Sequence, residues 1–141
     1  YGSAELSYED YNQAIAIDGI EGKFAPSGST VRNIILNFNG NLSDLSVRQA
    51  LAYAIDKEAI SEGLTYGYEP VADTIVPDGT PYSDICGTID YTYNVDRANQ
   101  LLDEAGWAMN ESTGIREKDG TPLHVVFTCP TDDSTIGSIA T

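Results

Sequence analysis

The most regular pattern of apolar and polar positions lies between residues 44 and 60. Apolar residues recur there at the spacing of one helix face: Val47, Ala50, Leu51, Ala54 and Ile55. Ser46 is followed three residues later by Gln49, the capping-box pattern in which a hydroxyl and an amide side chain satisfy the first backbone amides of a helix. The pattern predicts a helix over 46–55, capped by Ser46, and a second helix from Lys57 to about Leu64.

Two further helices are indicated by a polar cap followed by an apolar stripe. Ser7 is suited to cap a short helix that begins at Tyr8, and Asn94 is suited to cap a helix over 95–105 that Gly106 ends. The second of these carries the stripe Ala98, Leu101, Leu102 and Ala105. We expect Leu51 of the central helix and Leu102 to be buried.

Continuous rather than alternating apolar runs predict strands. Residues 31–38 contain Val31, Ile34, Ile35, Leu36 and Phe38, a run too continuous for a strand with one wet face, so a central strand is predicted. Residues 115–117, an Asp119-Gly120 turn and residues 123–129 predict a hairpin. Helices and strands together indicate an α/β chain with a mixed sheet flanked by helices.

The net charge of the chain disfavours some classes of partner. Acidic residues outnumber basic ones 22 to 7 in 141 residues, giving a net charge of −15. Such a field repels nucleic acid and anionic membrane surfaces. It is compatible with a cationic solute, although an acidic surface suited to a salty medium is the simpler explanation.

Catalytic and metal chemistry finds little support in the sequence. His124 is the single histidine and lies within a predicted strand, and no G-x-S-x-G motif is present. Cys86 and Cys129 fit no zinc or C-x-x-C spacing, so an ordinary buried thiol is expected at Cys129, with a disulfide between the two left open. No catalytic residue, metal site or cofactor is therefore predicted.

The order of residues carries information beyond periodicity. Phe38-Asn39, a short polar turn and the stretch from Val47 to Ile60 closely resemble the signature of the family 5 solute-binding proteins, the extracytoplasmic receptors of nickel, dipeptide and oligopeptide ABC importers. The resemblance continues through Tyr66-Gly67, Val71 to Thr74, Pro81 to Asp84, Leu101 to Trp107 and Gly114 to Leu123. It implies a periplasmic-binding-protein-like fold. Because family members are several times longer, it also implies that residues 1–141 are one fragment, from the second lobe of a two-lobed protein.

The resemblance further implies a function. The parent protein would capture a nickel chelate or a short peptide between two lobes and deliver it to ABC permease subunits. This chain resembles the nickel-type branch of the family more than it resembles the peptide receptors. It would be periplasmic or a cell-surface lipoprotein, touching the membrane only through a lipid anchor. An extracellular adhesion or interaction module and, less well supported, a hydrolase domain are the alternatives.

Solute contacts are predicted where the strands end, because ligands of open α/β sheets sit outside the carboxyl ends of strands. Asn37 and Asn39 lie at the end of one predicted strand, and Thr131 and Asp132 lie at the end of the other. Segments matching these places line the solute cleft in the peptide-binding relatives. Asn39 and Asp132 could instead cap turns or helices. The main ligand residues are expected beyond Thr141.

Overall fold

The computed structural model describes residues 6–23, 31–72, 74–77, 79–85, 87, 90–130 and 134–140. Within them lie helices α1 (Tyr8–Ile15), α2 (Leu45–Ala54), α3 (Lys57–Thr65), α4 (Val95–Glu104) and α5 (Ser134–Ile139), and strands β1 (Ala108–Asn110), β2 (Ile115–Lys118) and β3 (Thr121–Pro122). Two 3₁₀ turns span Gly40–Ser43 and Ser83–Ile85. None of the described helices has the length and apolarity needed to cross a bilayer.

The chain divides into two compact units. Residues 1–32 and 58–88 form the first unit, and residues 33–57 and 89–141 form the second. In the first unit the ring of Tyr68 stacks on Tyr8 and meets Tyr11 edge-on. The Tyr68 hydroxyl also donates a hydrogen bond of 2.6 Å to Asn12. These contacts join α1 to the turn that follows α3.

The core of the second unit lies where α2 packs against α4. Ala50, Ala98 and Leu101 are buried there, and Tyr53 and Leu102 pack against them. Small side chains at positions 50 and 98 allow the two helices to approach closely. The backbone amide of Asn94 donates to the Tyr53 carbonyl at 2.8 Å, which fixes the start of α4 beside the end of α2.

The predicted helices are confirmed with small differences in their ends and one in a cap. The Asn94 side chain accepts a hydrogen bond from the Arg97 amide at the start of α4, as expected. At the start of α2 the cap is Asp44, whose carboxylate accepts from the Ser46 amide at 2.9 Å, so the prediction of Ser46 as the cap was wrong. Aspartate and serine cap about equally well, and sequence pattern alone does not decide between two neighbouring candidates.

The observed sheet is a three-stranded antiparallel arrangement in the order β1-β2-β3. Ala108 pairs with Glu117, and Glu117 pairs with Pro122 on its other side. Between β2 and β3 the backbone takes positive φ at both Asp119 (52°) and Gly120 (74°), the combination that a tight two-residue hairpin turn requires. The predicted turn is confirmed, whereas β1 was not anticipated.

Two strand predictions were wrong for the same physical reason. Residues 31–38 and 123–129 have no regular secondary structure, and Ile35 is 89% exposed. A strand exists only where a neighbouring strand accepts and donates its backbone hydrogen bonds. In the described part of the two runs, the Leu123 amide donates one such bond to the Arg116 carbonyl of β2 at 2.7 Å, and the pairing does not continue along either run. Leu51 and Leu102 are half-buried rather than buried as predicted, and both line an apolar groove along α2 and α4.

Candidate functional site

The predicted solute contacts at residues 37 and 39 form a small polar turn on the surface of the second unit. The Asn37 side-chain carbonyl accepts hydrogen bonds from the Asn39 backbone amide at 3.2 Å and from the Asn39 side-chain amide at 2.8 Å. Both side chains are exposed. This is the local turn geometry that asparagine favours. Thr131 and Asp132, the other two predicted contacts, lie outside the described residues.

The chain that follows this turn is held by Asn41. Its side-chain amide donates to the carbonyl of Pro122 at 3.2 Å and to the carbonyl of His124 at 3.0 Å. One residue therefore joins the segment before α2 to the segment that leaves the hairpin. Asn41 was not among the residues predicted from the sequence to be functional. A contact across 81 residues leaves no local signal.

Arg48 fixes the same segment against α2. Its guanidinium lies 4.7 Å from the centroid of the Phe38 ring, a cation–π distance. The same group donates to the carbonyl of Leu42 at 2.7 Å and to that of Ser43 at 3.0 Å. The end of the apolar run 31–38 is thus positioned by an arginine on the first turn of a helix.

Asp44 is the centre of a polar network in the second unit. Besides capping α2, its carboxylate accepts from the Trp107 indole at 3.3 Å and from the Lys118 ammonium at 3.3 Å. The Lys118 ammonium lies 5.7 Å from the Trp107 ring centroid, and Trp107 is only 5% exposed. The network therefore ties the start of α2 to the turn after α4 and to β2.

The network also sets the ionisation of Asp44. Partial burial raises the pKa of this carboxyl group. Hydrogen bonds from the Ser46 amide, the Trp107 indole and Lys118, together with the Lys118 charge, outweigh burial and hold the pKa below its ordinary value of 3.8. Asp44 is therefore a stable carboxylate with a structural role, and its properties are not those of a general acid at neutral pH.

A second basic side chain fastens the hairpin to α4. Arg116 donates to the Asp103 carboxylate at 2.5 Å, to the Trp107 carbonyl at 2.5 Å and to the Asn99 side-chain carbonyl at 3.0 Å. Its side chain is 10% exposed, so these three acceptors replace most of its hydration. This arginine is fully engaged in structure and is not placed to hold a solute carboxylate.

An apolar groove of about 140 Å³ runs along the α2–α4 pair. It is lined by Val47, Ala50, Leu51, Ala54, Val95, Ala98, Asn99, Leu102, Leu123 and Val125. Asn99 is the one polar residue of this set. A surface of this composition suits apolar side chains and offers little to a metal ion or a charged solute.

Metal binding has no support in the described part of the chain, where no cluster of three histidine, cysteine, aspartate or glutamate side chains could hold an ion. The His124 side chain is exposed. Cys129 is half-buried, and Cys86, with which a disulfide was left open, lies outside the described residues.

Comparison with known proteins identifies the relatives of this chain. The model of the middle region of bacterial extracellular solute-binding proteins, family 5, matches residues 2–141. The nickel-binding periplasmic protein of Escherichia coli (strain K12) is 37% identical over 83 residues, which are 59% of this chain and 16% of that protein.

Two solved structures share the fold. NikA from Brucella suis, in complex with Fe(III)-EDTA, is 44% identical with a TM-score of 0.56, over 62% of this chain and 18% of that one. Lactococcal OppA, in a closed conformation with an endogenous peptide, is 35% identical with a TM-score of 0.60, over 70% of this chain and 19% of that one. The chain therefore spans less than a fifth of the length of each of these three relatives. The expected periplasmic-binding-protein-like fold is confirmed by these neighbours.

Proposed function

Because the chain belongs to the bacterial extracellular solute-binding proteins of family 5, we propose that it forms part of one lobe of a receptor that captures a solute for an ABC importer. The observation that carries this proposal is the family match over residues 2–141, together with relatives named for nickel and for oligopeptides. Binding would proceed by closure of two lobes around the solute, each supplying part of a buried polar site.

The proposed solute is a nickel chelate, with a short peptide as the close alternative. The nickel-binding relative from Escherichia coli and NikA from Brucella suis support the first, and lactococcal OppA supports the second. A net charge of −15 favours a cationic solute, although the attraction of exposed charges is screened beyond about 8–10 Å at physiological salt. The receptor would work outside the cytoplasm, with permease subunits as partners and without catalysis.

Within this chain, we assign solute contacts to Asn37 and Asn39, with Thr131 and Asp132 as their counterparts. The support for the first pair is that both amides are exposed and lie at the end of an apolar run. Asparagine amides offer both donors and acceptors to a polar solute. The rest of the pocket would come from other parts of the receptor.

Calorimetry tests the proposal on two proteins: the 141-residue chain and the full gene product that contains it. Each is titrated with nickel, nickel–histidine and a mixed dipeptide pool at 0.15 M salt. We expect a saturable sub-micromolar site on the full product for one solute class. On the 141-residue chain we expect no site tighter than roughly 10 μM, about −7 kcal/mol, because only part of the contact surface is present.

Matched variants of the full product then test the assigned contacts. Asn37→Ala and Asn39→Ala should each weaken solute binding, whereas Asn33→Ala, an exposed asparagine earlier in the same run, should leave it unchanged. If the full product binds neither nickel, with or without histidine, nor dipeptides, the proposed function is contradicted. Equal affinities for all three variants would contradict only the assignment of the site.

A further inference from the structure

Asn39 is the one asparagine of the chain that is followed by glycine. The other asparagines of the sequence all precede a residue that carries a side chain. A following glycine matters chemically, because its backbone nitrogen can approach the asparagine side chain without the obstruction of a Cβ atom. The pair Asn39-Gly40 therefore differs in reactivity from every other asparagine position in the chain.

The structure leaves this pair open to solvent and free to change its backbone conformation. Both residues are exposed, and open space surrounds the position that a Cβ atom of Gly40 would occupy. Gly40 has a φ of +59° and, as a glycine, can reach the other regions of backbone space at little cost. The Asn39 side chain does not cap the 3₁₀ turn that begins at Gly40, so capping does not hold it in place.

Among the described residues, only a neighbour in the same turn holds the Asn39 side chain. Its amide donates to the Asn37 side-chain carbonyl at 2.8 Å, and the Asn39 backbone amide donates to the same oxygen at 3.2 Å. Other asparagine side chains are tied to distant parts of the chain, as Asn41 is to the Pro122 carbonyl and Asn110 is to the Glu117 carboxylate. The Asn39 contact is local and exposed, so water competes with it.

We propose that Asn39-Gly40 is a site of spontaneous deamidation and that Asn37 restrains the reaction. After a base in solution removes its proton, the Gly40 backbone nitrogen attacks the Cγ atom of Asn39. The new N–C bond closes a five-membered succinimide ring, the Cγ–Nδ2 bond breaks, and the leaving nitrogen takes a proton from water and departs as ammonia. Water then opens the ring at either of its carbonyls, which gives aspartate or isoaspartate. The net change is hydrolysis of a side-chain amide, with no oxidation or reduction.

Ring closure requires two movements that the contact with Asn37 opposes. The ψ angle of Asn39 is 163°, an extended conformation, so the Gly40 nitrogen must rotate about the Cα–C bond until it faces Cγ. The side-chain amide must also turn toward the main chain, which breaks the 2.8 Å hydrogen bond to Asn37. Asn37 therefore slows the reaction, whereas the conformational freedom of Gly40 permits it.

The product changes the turn. A carboxylate at position 39 has no hydrogen to donate to the Asn37 oxygen, and it makes the net charge of −15 more negative. Isoaspartate also routes the main chain through the side-chain carbon immediately before the 3₁₀ turn Gly40–Ser43. An effect on solute binding rests on the proposed function, because Asn37 and Asn39 are the assigned solute contacts. The modification itself does not depend on that function.

Peptide mapping of the unmodified 141-residue chain tests the site. The folded chain is incubated in neutral buffer and digested, and its peptides are analysed by mass spectrometry with fragmentation that distinguishes isoaspartate from aspartate. We expect conversion at Asn39 to exceed that at Asn37, the matched asparagine of the same turn, and isoaspartate to be among the products. Conversion no faster than at Asn37 would overturn the proposal. So would aspartate as the only product, because direct hydrolysis of the side chain leaves the main chain unchanged.

Asn37→Ala tests the restraint. It should raise the rate of conversion at Asn39 about 2- to 10-fold, the factor that corresponds to the loss of one hydrogen bond. The matched control is Asn33→Ala, an exposed asparagine earlier in the chain, which should leave the rate unchanged. Equal rates in the unmodified chain and in Asn37→Ala would overturn the role of Asn37. Because no solute is added, failure of this test is distinct from failure of the proposed function.

Discussion

Replacing Asp44 tests whether one carboxylate holds α2, the turn after α4 and the hairpin together. In Asp44→Ala, three interactions are lost at once: the cap on the Ser46 amide, the acceptor for the Trp107 indole and the partner of Lys118. Lost helix caps cost about 0.5–2 kcal/mol. A hydrogen bond is worth about 0.5–1.5 kcal/mol. A partly exposed ion pair adds about 0.2–1 kcal/mol.

These contributions overlap, so we expect Asp44→Ala to lower the free energy of unfolding by about 2–3 kcal/mol. Asp44→Asn keeps a side-chain oxygen for the Ser46 amide and loses the charge, so it should cost about half as much. The assay is urea unfolding followed by Trp107 fluorescence. Trp107 is the single tryptophan of the chain and lies inside the network, so the signal reports on this unit.

Asp96→Ala is the matched control, since Asp96 is an exposed acidic residue in the first turn of α4. It removes the same charge from a helix start and should cost less than about 1 kcal/mol. A double-mutant cycle between Asp44→Asn and Lys118→Met isolates the ion pair, because methionine keeps an apolar stem over the Trp107 ring. A cost for Asp44→Ala no larger than that for Asp96→Ala would refute the reasoning.

Three further outcomes follow from the same structure. Leu101→Ala should cost about 2–5 kcal/mol in urea unfolding, because Leu101 is 8% exposed and its loss leaves a cavity; a cost below about 0.5 kcal/mol would mean that the α4 face is misassigned. Gly22→Ala should lower the thermal midpoint of the first unit, as measured by circular dichroism, because an added Cβ would lie 2.5 Å from the Ile15 methyl. The comparison variant is Gly19→Ala, where space is open but φ is +83°, so it separates the effect of backbone strain from that of a steric clash. In acid titrations, the unfolded chain binds more protons than the native one, because the native pKa of Asp44 is below 3.8. The stabilisation from Asp44 is therefore full above about pH 5 and is lost as the pH falls through the native pKa. The variant Asp44→Asn should lack this part of the acid transition.

The sequence by itself determined the helices, because the interactions that start and end a helix are local. Asn94 caps α4 through an amide three residues away, and Gly106 ends the helix region with a φ of +84° that glycine adopts readily. The Asp119-Gly120 turn was predictable for the same reason. The family resemblance was likewise readable, since it depends on the order of residues and not on their contacts.

Strand formation was decided by tertiary structure. Residues 31–38 have the composition of a buried strand, but a strand needs hydrogen-bonding partners that its own sequence does not specify, and the described structure supplies none. The sequence pattern therefore overestimated the sheet and, with it, the burial of Leu51 and Leu102.

The polar contacts that organise the second unit also arose only in three dimensions. Asp44 meets Trp107 and Lys118 across 63 and 74 residues, and Asn41 meets the hairpin exit across 81 and 83 residues. An aspartate before an apolar run signals a helix cap, and nothing nearby indicates its distant partners. Local hydrogen bonding determines which residues form helices. Which polar groups are buried together, and therefore need one another as hydrogen-bond partners, is determined only when the chain folds.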